Sequence, residues 1–372
     1  MAETGRDFSG PRLRIARAFN GLTQSELARE VAVTHQFIAN LENNRKQPSG
    51  ILAQALGDAL GFEVSFFYGS SLDEFKESEC NFRSRLTTPV SARTQAMAYG
   101  TLLGELLSFA AEHVELPPLQ IPEIDARSPE EIERAAERCR MEWGLGLDVP
   151  ITNMARLTES IAGVPIATFR DMTNKVDAFS RRGSVNVVIL NEKAPSRCRF
   201  DLAHECAHLA LHRRKETGTR ETEAQADHFA AALLLPRSGF VREFPRSLYA
   251  IWDALFRLKD RWRVSIAALL HRASELGLID AIQYRRLYKQ LSARNWLRNE
   301  PREFEMERPE IIPLTFDALQ DQCGLSSTQV AAYLFWKPRT LERITGITIQ
   351  HEPKHPATKA NLVFLKDHQK TV

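Results

Sequence analysis

The chain has 372 residues, of which 43% are hydrophobic and 26% charged, an ordinary globular composition with room for two or three domains. A net charge of +2 sets up no global field, so any affinity for nucleic acid must be local. Five separated cysteines without a C-x-x-C pair argue against a disulfide framework and a cysteine zinc site, and no apolar run reaches the ~18 residues of a membrane span. The opening MAETGRDFSGPRLR lacks the apolar core of a signal peptide, so the expectation is a cytoplasmic protein with no membrane partner.

Residues 11–68 read as five short helices. Arg12 to Asn20 forms the first and Gly21 ends it. Thr23 with Glu26 three residues later has the capping-box pattern, and Leu27 and Val31 carry the apolar face of the second. Thr34 caps a third helix that turns Ile38 and Leu41 inward, and ILAQALGDALGF and VSFFYG complete the unit. The entry Leu22-Thr23-Gln24, the pairs Leu27-Ala28, Val33-Thr34 and Leu41-Glu42, Ile38, and Pro48-Ser49 before helix four resemble the XRE/Cro-like helix-turn-helix family. That resemblance implies double-stranded operator DNA as a partner, read by a homodimer on paired half-sites. It places Thr34, His35, Gln36, Phe37 and Asn40 on the base-reading face. Gln24, Arg45 and Lys46 are the candidate phosphate contacts. Between residues 11 and 48, six basic residues face three acidic ones, a small local excess.

The polar stretch 69–85 reads as a linker, and 91–116 as a long amphipathic helix whose Leu102, Leu103, Leu106, Leu107, Ala110 and Ala111 form a stripe. Such a stripe serves either domain core or a dimerisation surface. Prolines at 117–122 then lead into the next domain.

Asp201 to His212 reads as a helix holding His204-Glu205-Cys206-Ala207-His208, an H-E-x-x-H pattern. The two histidines sit one turn apart on one face, with Cβ atoms about 5–6 Å apart, close enough to share one ion. Glu205, the next residue round, is the candidate general base. A second helix offers Glu223 and Asp227, again one turn apart: Glu223 as third ligand, Asp227 as hydrogen-bond acceptor from a ligand histidine. A His-His-Glu set favours Zn2+ over manganese or iron. Glu221 is the alternative third ligand. His212 lies too far along the helix to share an ion with His204 and reads as a helix-end or packing residue, and Cys206 as a small buried one.

RFDLAHECAHLALH, followed by E-x-x-A-D-x-F-A-A-x-L-L-x-P over Glu223–Pro236, resembles the ImmA/IrrE family of zinc metallopeptidases, with supporting likeness over roughly 128–290. The resemblance implies His204, His208 and Glu223 as metal ligands and Glu205 as base. It also implies proteolysis of an XRE-type repressor that controls stress or mobile-element genes. Because a reader and a peptidase share this chain, the substrate stays open among a separate repressor, a sister chain and the chain's own linker. A non-proteolytic sensor of metal or ligand, and an antitoxin-like regulator, are the alternatives. The stretch 184–192, with Val185, Val187 and Ile189, suits either a buried strand or an exposed edge able to pair with a peptide. Arg197 and Arg199 suit either substrate contacts or ordinary surface charge.

Residues 316–346 have a helix–turn–helix rhythm with few polar residues on a recognition face, which favours a helical packing domain. The expected fold is therefore α+β, mainly α. Its parts are a five-helix DNA-binding domain (1–70), a linker and long helix (71–126), a gluzincin-like peptidase domain with a small sheet (127–300), and a C-terminal helical domain (301–372).

Overall fold

The structure, a computed structural model, describes residues 7–76, 80–82, 89–169, 178–181, 186–212, 218–247, 249 and 251–349. The N-terminal helices are α1 (Gly10–Phe19), α2 (Gln24–Glu30), α3 (His35–Glu42) and α4 (Gly50–Leu60), followed by a 3₁₀ turn over Val64–Tyr68. Their starts are written in local chemistry. Thr23 and Glu26 form a reciprocal capping box, Thr34 accepts from the Phe37 N–H, and Ser49 accepts from the Leu52 N–H. The first helix begins at Gly10, two residues before the expected start. The α3 carbonyls of Leu41 and Glu42 press so close that a Cβ at position 10 would lie 2.3 Å from one of them.

After these come β1 (Cys80–Phe82), α5 (Val90–Ala111), α6 (Pro129–Glu142), and the short α7 (Met154–Arg156), which widens into a π turn over Leu157–Ile161. Next are β2 (Ile166–Thr168), β3 (Ala178–Arg181), β4 (Val187–Leu190), α8 (Pro195–Leu211) and α9 (Arg220–Leu234). The chain continues through α10 (Arg237–Glu243), α11 (Ile251–Trp262), α12 (Ile266–Glu275), α13 (Ala281–Ala293), α14 (Ile311–Cys323), α15 (Ser327–Tyr333) and α16 (Pro338–Thr345). The fold is α+β and mainly helical. No described helix is long and apolar enough to cross a membrane.

The sheet runs β1-β3-β4-β2, antiparallel between β1 and β3 and between β3 and β4, parallel between β4 and β2. β4 is therefore an inner strand, and the exposed-edge reading of 184–192 is corrected: Val187 and Ile189 are fully buried, and Val185 lies outside the described residues. Both faces are covered, which is why VVIL is apolar throughout rather than alternating. The two-residue period still sorts the side chains. Ala167, Phe179, Val187 and Ile189 join a core with the N-terminal helices, α5 and the C-terminal helices. Ile166, Ala178, Val188 and Leu190 join a second core with α6, α8, α9, α11 and α12.

Three organisational expectations change. The stretch read as a linker contributes strand β1, and Phe75 packs into the first core. The leucines of α5 are buried inside the same chain, with Tyr99 stacked between Phe19 and Phe169, so the stripe is core rather than a free dimerisation face. The C-terminal helices do not form a separate domain: Leu319, Val330, Trp336, Leu341 and Ile344 share the core of the N-terminal helices. Phe62 bridges Trp336, Lys337 pairs with Asp58, and the Tyr99 hydroxyl donates to the Ile344 carbonyl at 2.6 Å. An amphipathic helix announces that it has an apolar face without saying which partner covers it.

Candidate functional site

Helix α8 starts six residues upstream of the expected Asp201. Pro195 occupies its first turn, and the carboxylate of Glu303 accepts from the Ser196 N–H and hydroxyl, a cap supplied from 107 residues away. The segment carrying Glu303 is strapped down by Lys259, which donates to Glu300 and Glu303 at 2.6 and 2.7 Å, and by Glu307, which accepts from the Met154 and Ala155 N–H groups and pairs with Arg199. Arg199 is thus a buried anchor rather than a substrate contact. Arg197 is exposed and donates to the Leu297 carbonyl.

α8 and α9 pack against each other and bring ligand-type atoms of His204, His208 and Glu223 within 4.8 Å of one another. The His204 and His208 Nε2 atoms are 3.0 Å apart, and the Glu223 oxygens lie 3.4 Å from the first and 3.5 Å from the second. Tetrahedral zinc with Zn–N bonds of about 2.0–2.1 Å places its ligand atoms about 3.3 Å apart, so this spacing suits one such ion. The Nδ1 of His204 lies 2.9 Å from Asp227 Oδ1. A carboxylate only accepts, so that Nδ1 carries the proton and Nε2 offers its lone pair inward. Both Glu223 oxygens are buried and meet no hydrogen-bond donor among the described residues. Two imidazole lone pairs and a carboxylate converging in a buried space are the arrangement that a cation relieves.

Glu205 is fully buried beside this cluster, and burial pushes its carboxyl up to about 7, with His204 and Ser180 acting to lower it and Glu223 and Asp201 to raise it further. Cys206 is a buried thiol raised to about 12 by burial and lies 3.7 Å from the Thr158 hydroxyl. His212, expected to be a helix-end or packing residue, is the C-cap of α8, and it also places its Nδ1 2.9 Å from the Nδ1 of His208 and its Nε2 2.9 Å from Gln225 Oε1. The signal for this was the second i, i+4 step in H204-H208-H212. Glu221 is exposed and meets Gln225 Nε2 rather than the cluster.

On α3, His35 and Gln36 are exposed, and so is the cap residue Thr34, whose hydroxyl is engaged with the Phe37 N–H. Phe37 and Asn40 are half-buried. Arg45 and Lys46 are exposed in the following loop, with the Lys46 ammonium 5.2 Å from the Phe37 ring centre. Gln24 has an internal partner: its amide donates at 2.6 Å to Glu42, a buried carboxylate that also holds Arg17 at 2.5 Å. That network fixes α2 against α1 and α3.

Comparison with known proteins agrees with the two halves of this description. A helix-turn-helix family model matches residues 13–67, and a peptidase family model described as the IrrE N-terminal-like domain matches 160–274. The chain is 27% identical over 103 residues to an immunity repressor protein of Bacillus phage phi105, covering 28% of this chain and 71% of the repressor. It is 26% identical over 313 residues to a propionyl-CoA carboxylase regulator of Cereibacter sphaeroides, covering 72% of this chain and 65% of the regulator. A solved Mycobacterium tuberculosis transcriptional regulator aligns at 21% identity with a TM-score of 0.30, over 39% of this chain and 46% of that one. The chain thus spans less than two thirds of the Cereibacter regulator and of the solved regulator. It joins a helix-turn-helix domain to an IrrE N-terminal-like domain in one polypeptide.

Proposed function

We propose that this chain is a cytoplasmic, DNA-binding transcriptional regulator whose IrrE-like domain is a zinc metalloendopeptidase centre. The observation that carries the enzymatic reading is the convergence within 4.8 Å of His204 Nε2, His208 Nε2 and the Glu223 carboxylate, which meets no donor among the described residues. These three residues would hold the ion, with Asp227 fixing the His204 tautomer. A bound zinc ion supplies Lewis-acid polarisation of a peptide carbonyl. Glu205, poised near neutrality by burial, takes the proton from the attacking water and passes it to the leaving amine. The helix-turn-helix match and the names of the relatives, a repressor and regulators, support the DNA-reading half. In that half Thr34, His35, Gln36, Phe37 and Asn40 read bases. Arg45 and Lys46 hold phosphates, as does Gln24 at its helix start, and the reader acts as a homodimer. The substrate that fits this pairing is an XRE-type repressor or a second copy of this chain.

A second reading, a sensor that never cuts, draws support from the sheet that the reader's core and the metal core share. One experiment separates the two. Zinc-loaded parent and Glu205→Gln proteins are incubated with repressors encoded beside the gene and with the parent chain itself, and products are resolved on a gel. Endoproteolysis predicts a discrete product from the parent, none from Glu205→Gln, and equal zinc and operator binding by both. Intact chains throughout, with operator affinity that changes on chelation, would establish the sensor.

A further inference from the structure

The side chains Glu221, Gln225, His212 and His208 form one continuous line of hydrogen-bonding contacts across α9 and α8. Gln225 Nε2 lies 3.3 Å from Glu221 Oε1, Gln225 Oε1 lies 2.9 Å from His212 Nε2, and His212 Nδ1 lies 2.9 Å from His208 Nδ1. His208, His212 and Gln225 are buried, and Glu221 sits at the exposed end.

The direction of every bond in this line follows from its first member. The Glu221 carboxylate only accepts, so the Gln225 amide NH₂ must face it, which turns the Gln225 carbonyl oxygen toward His212. A carbonyl oxygen only accepts, so the proton of neutral His212 sits on Nε2 and its Nδ1 is left as an acceptor. That Nδ1 then takes a hydrogen bond from the Nδ1–H of His208, which leaves the His208 Nε2 lone pair pointing at His204 and Glu223. His204 reaches the same state by the shorter route of one carboxylate, Asp227.

We infer that His212, Gln225 and Glu221 are positioning residues that set the His208 tautomer and ring orientation for metal binding, a polar relay in place of the single carboxylate that serves His204. The inference rests on the reading of His204, His208 and Glu223 as a metal site. It gives His212 and Glu221 a role other than ligation, since neither belongs to the convergent set His204, His208 and Glu223 and both would set how His208 is held. Ligand histidines are ordinarily oriented by such a partner, and its loss lowers metal affinity by roughly 10–100-fold.

The test uses the full chain, with zinc affinity measured by competition against a chromophoric chelator. His212→Ala and Gln225→Leu should each bind zinc roughly 10–100-fold more weakly than the parent. Gln225→Glu keeps an acceptor facing His212 and should stay within a few-fold of the parent. Circular dichroism of the metal-free proteins checks that each variant folds. Histidine-selective ¹⁵N NMR of the parent supplies an independent readout: His212 should carry its proton on Nε2 and His208 on Nδ1. Equal zinc affinity in the parent, His212→Ala and Gln225→Leu would overturn the relay while leaving the metal centre standing, as would a His212 protonated on Nδ1. A parent that binds no zinc would overturn the metal centre and the relay together.

Discussion

Ser180 and Arg181 are consecutive on β3 and serve opposite faces of the same sheet. Ser180 faces the buried Glu205 beside the His204–His208–Glu223 cluster. Arg181 points the other way, with its guanidinium 4.2 Å from the Phe75 ring centre and 2.9 Å from Asp73. The segment holding Asp73 and Phe75 leaves the DNA-reading helices, and its neighbour Ser70 accepts from Arg12 on α1. One strand therefore ties the helix-turn-helix region to the His204–His208–Glu223 cluster through a single peptide unit. Replacing Arg181 with alanine removes the stacking and the ion pair together. Because the arginine is buried, the expected loss is about 1–2 kcal/mol, read as a lower urea midpoint, with Arg181→Lys recovering part of it. An unchanged midpoint would mean that this contact does not hold the two cores together.

Asp227 tests the other side of the metal cluster. Its carboxylate is half-exposed, yet its bond to His204 Nδ1 is the contact that fixes which nitrogen faces inward. Asp227→Ala should weaken zinc binding by roughly 10–100-fold in a chelator competition. Asp227→Asn should also fall short of the parent, because an amide can present a donor where the tautomer requires an acceptor. The thermal unfolding midpoint of the metal-free variants should fall modestly, since the buried His204 Nδ1–H loses its acceptor at a cost of about 1–3 kcal/mol. A variant that binds zinc as tightly as the parent would show that Asp227 has no part in orienting His204.

On the DNA face, exposed Gln36 and exposed Lys46 are expected to fail in different ways. Gln36→Ala should cost about 1–3 kcal/mol on the cognate operator and relax preference at one base pair. Lys46→Ala should weaken all duplexes alike and reduce the salt slope by about one. Fluorescence anisotropy on cognate and scrambled duplexes across a salt series separates these outcomes. If both variants lost affinity uniformly, α3 would not be the base-reading element.

Much of this was legible in the sequence where the controlling chemistry is local. Thr23, Thr34 and Ser49 cap the N-terminal helices through bonds that span three residues, and the i, i+4 steps of His204/His208 and Glu223/Asp227 require only helical geometry. What escaped depends on partners distant in the chain. The three residues of β1 lie in a polar stretch and acquire meaning only by pairing with β3, about 100 positions later. The early start of α8 relies on Glu303, and the role of His212 depends on Gln225 in the neighbouring helix. The C-terminal helices looked like a domain because nothing local reveals that Trp336 and Leu341 cover the N-terminal core.

His228, next to Asp227 on α9, makes a prediction about pH. It sits between Glu133 and Glu275, 3.5 Å from each, and the proximity of the two carboxylates, Glu133 foremost, raises it to about 9 against the opposing effect of burial. Burial alone would raise Glu133, but the neighbouring His228 and the hydrogen-bonded Arg272 outweigh it and bring that carboxyl to about 2. The folded histidine binds its proton more tightly than its ordinary value of 6.5, so its contribution is complete below about pH 6.5 and is lost as pH rises through about 9. The Glu133 contribution has the opposite sense: it is complete above about pH 4.5 and is lost as pH falls toward about 2. Both are present together between about pH 4.5 and 6.5. The side chains are partly open to solvent, so screening reduces the histidine's share to the order of 1 kcal/mol. The stability gap between the parent and His228→Gln, from urea unfolding, should therefore be widest near pH 6 and shrink by about that amount by pH ~9.5. A gap that stays constant over that range would mean that these two carboxylates do not hold His228 protonated.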